Sequence, residues 1–300
     1  MFKITLVLSF GLAATVSADP VVFKNVKIRV NRSESDRRLV DKSVDLTFND
    51  TARRLIVKGS ENEITIAYDG VRKVVFDVTT HMRGITPAGV LAGLIPVAGD
   101  IAGPKIMAKH INDYWFYIEP TSGSPVVLEI PKESSPVVIE KAKAVFGDKV
   151  SEYPTRQGEK IEMDVLTDHS WHSIRNDKNQ HPVPELRPDK ALIVVVCPPL
   201  VARLSESRIQ YKLHANDKVV VVNRMGTYSF AYLDPGEYLL VSQAENANGF
   251  KLPLEAGKDY YFLQNSFLGF WKGRTSLSQQ SKEIVLHEMS GTGYADWKRK

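Results

Sequence analysis

Residues 230–262 decide the fold of the second half of this chain, and they read FAYLDPGEYLLVSQAENANGFKLPLEAGKDYYF. Turn signals lie at Asp234-Pro235-Gly236 and again at Gly257. Proline fixes φ and the glycine after it admits positive φ, which is the combination that a tight reversal needs. Short runs of strand-forming residues flank both turns. The stretch therefore predicts half of a small antiparallel β-sandwich.

Further strand signals lie upstream and downstream of that stretch. Residues 192–197 read LIVVVC, a β-branched run that predicts a strand buried on both faces. Asn216-Asp217 separates two alternating runs and predicts a hairpin. Residues 283–287 predict one more strand. Cys197 is the single cysteine of the chain, so no internal disulfide can form. We expect its thiol to be buried in the core and chemically unreactive.

Several motifs of this half resemble the DUF2846 family of exported bacterial β-domains. They are Asp189-Lys190-Ala191-Leu192, Asn216-Asp217-Lys218, Gly226-Thr227-Tyr228, Asp234-Pro235-Gly236-Glu237-Tyr238 and the run AGKDYYF at 256–262. The resemblance covers residues 188–288 and implies a sandwich of the transthyretin-like or PEGA-like kind. It carries over no catalytic residue. Many relatives have histidine shortly after the Pro-Gly turn, whereas this chain has Tyr238.

The first half, residues 20–153, alternates between apolar and polar residues like an antiparallel sheet. About seven strand signals are followed by Ser134-Ser135-Pro136, which predicts a helix through Phe146 that ends at Gly147. This order of elements resembles a PH-like or GRAM-like domain. The resemblance implies a bent barrel plugged by a C-terminal helix, and a binding role for lipid headgroups or peptides. The predicted fold class is therefore mainly β, with a PH-like bent barrel and C-terminal helix followed by the small antiparallel sandwich.

Residues 1–18 read MFKITLVLSFGLAATVSA and have the pattern of a secretory signal peptide. Lys3 supplies the basic start and Val16-Ser17-Ala18 the small-residue cleavage site. The apolar core is about a dozen residues, shorter than the ~20 that cross a bilayer. We expect a mature chain that begins at Asp19 and is periplasmic or extracellular.

The composition excludes some partners. The chain has 39 Lys and Arg against 35 Asp and Glu, a formal net charge of +4 that falls to +3 once the signal peptide takes Lys3 away. A nearly balanced charge argues against nucleic acid or bulk acidic lipid as the main partner. The loop at 31–38 mixes three arginines with Glu34 and Asp36, and we interpret it as a solvated loop instead of a phosphate site.

Residues 84–108 read GITPAGVLAGLIPVAGDIAGPKIMA and interrupt the alternating pattern. Internal prolines and Asp100 oppose a membrane-spanning helix. A broken helical hairpin that covers the barrel or packs on the second half is the favoured interpretation. An apolar flap that contacts membrane or a partner protein is the alternative, and a phosphate loop is disfavoured because the glycine spacing fits no such motif. The candidate contact residues are Val90, Leu91, Leu94, Ile95, Phe270 and Trp271.

Residues 154–187 lose periodicity, apart from residues 160–166, whose pattern fits one strand, and the segment is interpreted as a solvated linker. Asp168, His169 and His172 are weak candidates for metal ligands, since His and Asp both bind zinc. Neither HExxH nor a paired-cysteine pattern accompanies them. The tail at 289–300 is basic and is expected to be frayed, or to lie on an anionic surface.

Three functional classes fit these patterns. The favoured one is a non-catalytic exported binding or structural module of the bacterial cell envelope, whose partner is a protein or lipid of the envelope. The alternatives are a lipid- or membrane-engaging protein that uses residues 84–108 with peripheral membrane contact, and a metal-dependent hydrolase built on His169 and His172. No cofactor and no nucleic acid is expected.

Cell fractionation separates the first two classes. We expect the mature chain and a variant lacking residues 84–108 to be recovered equally in the soluble periplasm or the medium, because the favoured module needs no apolar flap. Immunoblots of periplasm, membrane and medium would measure this. Membrane recovery that disappears on deletion would favour the lipid-engaging protein instead.

Overall fold

The computed structural model describes residues 20–31, 39–83, 109–166, 172–177, 181–199, 209–268 and 273–299. These residues are mainly β, as the sequence predicts. The described part of the chain forms a curled half-barrel sheet from the first half, followed by two further sheets that face each other.

The barrel sheet has eight described strands in the order β4-β3-β2-β1-β7-β6-β5-β8. Neighbours are antiparallel except β5 and β8, which run parallel. The strands are β1 (Val21–Asn31), β2 (Leu39–Asn49), β3 (Arg54–Lys58), β4 (Glu63–Ala67), β5 (Val71–Arg83), β6 (Lys109–Pro120), β7 (Val126–Ile130) and β8 (Val150–Glu152).

Helix α1 (Ser135–Phe146) follows β7 and closes over the barrel core, as the Ser-Pro start and Gly147 stop predict. Gly147 has φ 56°, a conformation that glycine adopts without strain. Phe146 packs against Phe48 at 6.2 Å and edge-on against Tyr68 at 5.4 Å between ring centroids. The helix therefore shares one apolar core with the barrel strands.

The second half is a sandwich of two sheets. One has the order β10-β17-β16-β13-β14 and the other β11-β20-β15-β12-β18-β19-β9. The strands are β9 (Arg156–Gln157), β10 (Glu159–Ile161), β11 (His172–Asp177), β12 (Ala191–Cys197), β13 (Tyr211–Ala215), β14 (Lys218–Asn223), β15 (Thr227–Leu233), β16 (Gly236–Gln243), β17 (Ala247–Leu254), β18 (Asp259–Leu268), β19 (Gly273–Gln279) and β20 (Gly293–Arg299).

The predicted strands of the 230–262 stretch exist, but they are divided between the two sheets. β15 and β18 flank β12 in one sheet, whereas β16 and β17 pair as a hairpin in the other. β12 is buried along its whole length, as predicted. The sheet around it is not purely antiparallel, because β12 runs parallel to β18 and β15 runs parallel to β20. Local turn signals specify hairpins but not which sheet a strand joins.

Three sequence interpretations are wrong. Residues 283–287 lie in helix α2 (Lys282–Ser290), whose Ile284, Val285, Glu288 and Met289 are buried on one face at helical spacing. The basic tail is not frayed, because β20 pairs with β11 and β15. Nor is 154–187 an unstructured linker: β9, β10 and β11 all pair with strands of the sandwich. These strands are short and polar, so their pairing depends on distant partners that no local pattern shows.

Strands β5 to β7 are apolar on both faces. Their inner side chains join the barrel core, and their outer side chains form a second cluster with Ile284 of α2. The outer members are Val75, Trp115, Tyr117 and Val127. Because α2 also packs through Val285 and Met289 on the sandwich, it is buried between the two halves of the molecule.

Strand β17 has Gly249 at a position where the backbone of β16 leaves no room for a side chain. A Cβ atom there would lie 2.0 Å from the Leu240 carbonyl oxygen and 2.8 Å from the Val241 Cα. We expect Gly249→Ala to lower the free energy of unfolding by about 2–4 kcal/mol, since backbone atoms must shift. Denaturant titration would measure it.

Gly59→Ala is the matched control, because the Cβ added there meets its nearest atoms at an ordinary 3.5 Å. We expect it to change stability by less than ~0.5 kcal/mol. Equal losses in both variants would contradict the steric argument.

Candidate functional site

A groove of about 540 Å³ opens on the barrel. It lies between the end of β1, strand β4 and the loop that joins β6 to β7. The lining residues are Ile28, Arg29, Val30, Ile64, Thr65, Ile66, Ala67, Gly70, Pro120, Thr121, Ser122, Gly123, Ser124, Pro125, Val126 and Val127. Apolar side chains predominate, with hydroxyls at the rim.

The strands around this groove leave part of their length without strand neighbours. β1 pairs with β7 only at Lys27 and Ile28, so the two strands separate beyond that point. β4 lies at one edge of the described sheet. An edge strand presents backbone N–H and C=O groups that can pair with an added strand.

Backbone hydrogen bonds fix the rim of the groove. The Gly70 N–H donates to the Ala67 carbonyl at 3.0 Å, and the Thr121 N–H donates to the Gly70 carbonyl at 2.8 Å. Arg29 is the charged residue among the described residues that line the groove. Its guanidinium is already paired, 3.2 Å from Glu288. The groove is therefore preformed and nearly neutral.

A second feature is the junction between the barrel and the sandwich, centred on Asp77 of β5. This carboxylate is 2% exposed and accepts hydrogen bonds from the Ser281 backbone N–H at 2.8 Å and the Ser281 hydroxyl at 2.7 Å. The Thr155 hydroxyl donates to its other oxygen at 2.5 Å. Burial raises the pKa of Asp77, and these donors oppose that shift. One carboxyl group thus ties the barrel, the segment after β8 and the start of α2 together.

Charged groups also meet at the far end of α2. The Arg29 side chain pairs with Glu288, lies 3.8 Å from Asp41 and stacks over Trp115, with its guanidinium carbon 5.1 Å from the ring centroid. The Trp115 indole N–H donates to the Thr79 hydroxyl at 2.8 Å. Burial raises the pKa of Glu288, and the positive charge of Arg29 acts in the opposite direction.

His287 lies next to this ion pair. Burial, together with the positive charge of Arg29, lowers the pKa of His287 to about 4, although a hydrogen bond to the Arg29 backbone partly opposes the shift. The ring is therefore neutral at pH 7 in the folded protein. Among the described residues, Nε2 of His287 has no hydrogen-bond partner.

A polar cleft of about 350 Å³ lies beside the junction. It is lined by residues of both halves, among them Tyr153 and Tyr261. Its lysines are already engaged, since Lys73 pairs with Glu283 and Lys282 with Asp259. The remaining acid of the lining, Glu152, pairs with Lys143 at 2.8 Å, so each charged side chain of the cleft already has a partner of opposite charge.

A third feature is a proline-rich strap, residues 181–188, with the sequence HPVPELRP. It runs over the outer face of β15. The Tyr228 hydroxyl donates to the Pro182 carbonyl at 3.0 Å, and the Tyr232 hydroxyl donates to the Glu185 carbonyl at 2.7 Å. Arg187 stacks over Tyr232, with its guanidinium carbon 3.9 Å from the ring centroid, and His181 stacks on Tyr228 at 6.3 Å.

The two tyrosines that contact the strap belong to an aromatic row, which consists of Tyr228, Phe230, Tyr232 and Tyr294. Phe230 contacts Tyr232 edge-on at 6.1 Å and Tyr294 at 5.7 Å, and Tyr228 contacts Tyr294 at 5.5 Å between ring centroids. Each hydroxyl–carbonyl bond contributes about 1 kcal/mol and the exposed cation–π contact about 0.5–1 kcal/mol. The strap is thus held by a few weak polar contacts.

Of the three candidate metal ligands, only His172 lies in the part of the chain that the structure describes. His172 lies in β11, 1% exposed, and its ring packs edge-on against Trp297 at 5.3 Å. Asp168 and His169 lie outside the described residues. Within the described residues no group of three or more His, Cys, Asp or Glu is arranged to hold a metal ion.

The candidate membrane or partner contacts also fall outside the described residues. They are Val90, Leu91, Leu94 and Ile95 in the 84–108 segment, and Phe270 and Trp271. Where helices are described, none combines the length and apolar character needed to cross a membrane. Cys197 is completely buried, and burial raises the pKa of its thiol.

Comparisons with protein-family models, with curated proteins and with solved structures found no match to this chain. The resemblances to the DUF2846 and PH-like families therefore stay predictions from the sequence.

Sequence reasoning missed the junction, the strap contacts and the groove. One signal was present: Val74-Val75-Phe76 and Trp115-Phe116-Tyr117 are continuous apolar runs, which indicate strands covered on both faces. Pro182 and Pro184 of the strap lie in the segment that the sequence analysis interprets as a linker. No local sequence pattern indicates that Tyr228 and Tyr232 of β15 donate hydrogen bonds to backbone carbonyl groups of the strap.

His287 makes stability depend on pH. Between its ordinary value of 6.5 and about 4, the unfolded chain takes up a proton that the folded protein does not, so stability falls as the pH falls. Asp77 and Glu288 act in the opposite sense, because their raised pKa values favour the folded state at low pH.

Comparing the stability of the wild type with that of His287→Asn isolates the contribution of the histidine. We expect the stability advantage of the wild type to shrink by up to about 3 kcal/mol from pH 7 to pH 4.

Urea titrations at several pH values would measure this difference. Met289→Leu, a change of similar volume in a buried residue of the same helix, should keep the pH dependence of the wild type. If His287→Asn also keeps it, the histidine is not the source.

Proposed function

We propose that this protein is a non-catalytic, exported binding module of the bacterial cell envelope, and that the barrel groove is its binding surface. The observation that carries the proposal is the preformed concave groove of about 540 Å³ beside the edge strand β4. Concave, mostly apolar surfaces with a few polar groups are typical of ligand sites. Export is supported by the signal-peptide pattern of residues 1–18.

The chemistry of the groove favours a peptide over a charged lipid headgroup. Its described lining has one charged group, Arg29, and that group is committed to Glu288. An extended segment of an envelope protein could pair its backbone with β4 and place apolar side chains beside Val30 and Ile64. Both of these residues are partly buried against the barrel core.

The rigidity of the scaffold also supports a binding role. The groove lies on strands that share one core with α1, and the Asp77 junction attaches this barrel to the sandwich. A preorganised surface loses less conformational entropy on binding. The sandwich would then serve as a support that presents the barrel.

Site-specific photo-crosslinking in living cells tests the proposal. A photoreactive amino acid at Ser124, an exposed groove residue, should give a discrete adduct whose mass exceeds the monomer by that of a partner protein. The same amino acid at Ser60, which is exposed in the turn after β3 and is not among the residues that line the groove, is the matched control. Immunoblotting and mass spectrometry would identify the adducts.

The proposal predicts adducts at position 124 and not at position 60. Adducts of equal yield at both positions, or none at position 124 in cells that express the protein at its native level, would contradict it. An adduct with lipid in place of protein would identify a lipid-binding groove and overturn the peptide assignment.

A further inference from the structure

The strap carries an inference that is independent of the groove. Pro182, Pro184 and Pro188 each fix φ near −65°, and each disfavours the α conformation at the residue before it. Most of the strap is therefore extended by its covalent structure before it touches β15. Little conformational entropy is lost when such a segment binds, which is why proline-rich segments are common recognition elements.

The contacts of the strap match recognition of a polyproline helix. Its carbonyl acceptors, on Pro182 and Glu185, are three residues apart, and a polyproline helix has three residues per turn. Carbonyls with that spacing point in the same direction, so the hydroxyls of Tyr228 and Tyr232 can bind both. Aromatic surfaces that donate hydrogen bonds to carbonyls are how proline-rich peptides are recognised in general.

The strap leaves its apolar side chains out of the contact. Val183 is 70% exposed and Leu186 is 50% exposed, although both belong to the segment that covers the aromatic row. The row is bound instead through backbone carbonyls and the Arg187 guanidinium. These contacts depend on the backbone and on one cation, so a segment from another chain could reproduce them.

We propose that the aromatic row Tyr228, Phe230, Tyr232 and Tyr294 is a receptor surface for a proline-rich segment of a partner protein, and that the strap occupies this surface within the chain itself. The partner segment has two carbonyls one polyproline turn apart, followed two residues later by arginine. Binding of the partner displaces the strap. The strap thereby lowers the apparent affinity of the surface, because a tethered competitor acts at a high effective concentration.

Peptide binding to the full mature chain tests this. The probe is a synthetic peptide of residues 181–188, and the variant Pro182→Gly/Pro184→Gly loosens the strap without changing the aromatic row. We expect this variant to bind the peptide at least ~10-fold more tightly than the wild type, because its own strap competes less well. Isothermal titration calorimetry would measure both affinities, with a peptide of scrambled sequence as the control.

Two tyrosine variants test whether the peptide binds to the aromatic row. In the loosened background, Tyr228→Phe and Tyr232→Phe should each weaken binding several-fold, because each removes one hydroxyl donor. Tyr153→Phe, which removes a tyrosine hydroxyl in the cleft beside the junction, should leave it unchanged. Binding that neither row variant weakens, or no binding to the loosened chain, would overturn the proposal.

A second variant covers the case in which the loosened chain does not fold. Arg187→Ala removes the stacking contact on Tyr232 and leaves all three prolines in place. It should bind the peptide more tightly than the wild type but less tightly than the loosened variant. If folded Arg187→Ala protein gains no affinity over the wild type, the strap is a fixed structural cover.

Discussion

The arrangement of the two halves depends on the buried carboxyl group of Asp77. Burying a carboxylate is costly unless hydrogen bonds replace its water, and here hydroxyl and backbone donors from Thr155 and Ser281 do so. Burial raises the pKa of Asp77, and these hydrogen bonds oppose that shift. Since Ser281 immediately precedes α2, the same group places the helix on the outer face of the barrel.

Once α2 is fixed there, the other features follow. Ile284 closes the apolar cluster of Val75, Trp115 and Tyr117, and Glu288 reaches Arg29 of β1. Because this ion pair neutralises Arg29, the one charged residue of the described groove lining, the groove is nearly neutral. On the sandwich, Val285 and Met289 cover one part of the outer face of the larger sheet, while the strap covers the part around β15.

Local signals were sufficient for elements whose partners are near in sequence. Ser135, Pro136 and Gly147 mark α1 correctly, and the turns at Asn216-Asp217 and Gly257 lie between observed strands. Asn216 and Gly257 both have positive φ, at 57° and 71°, the conformation for which such residues are suited. The same reasoning failed for α2, because residues 283–287 have too few positions to distinguish a helical from a strand period. It failed for β11 and β20, because these two strands pair with each other although they are far apart in the sequence.

The sequence by itself determined the mainly-β class, the terminal helix of the barrel and the strands of the 230–262 stretch, since turn residues and alternation act over a few residues. Only the tertiary structure decided that β15 and β18 join one sheet and β16 and β17 the other, and that β9, β10 and β11 belong to the sandwich. It also decided that Asp77 meets Ser281, 204 residues away, and that the strap meets β15. Those outcomes depend on which distant surfaces exclude water together, and no local pattern records that.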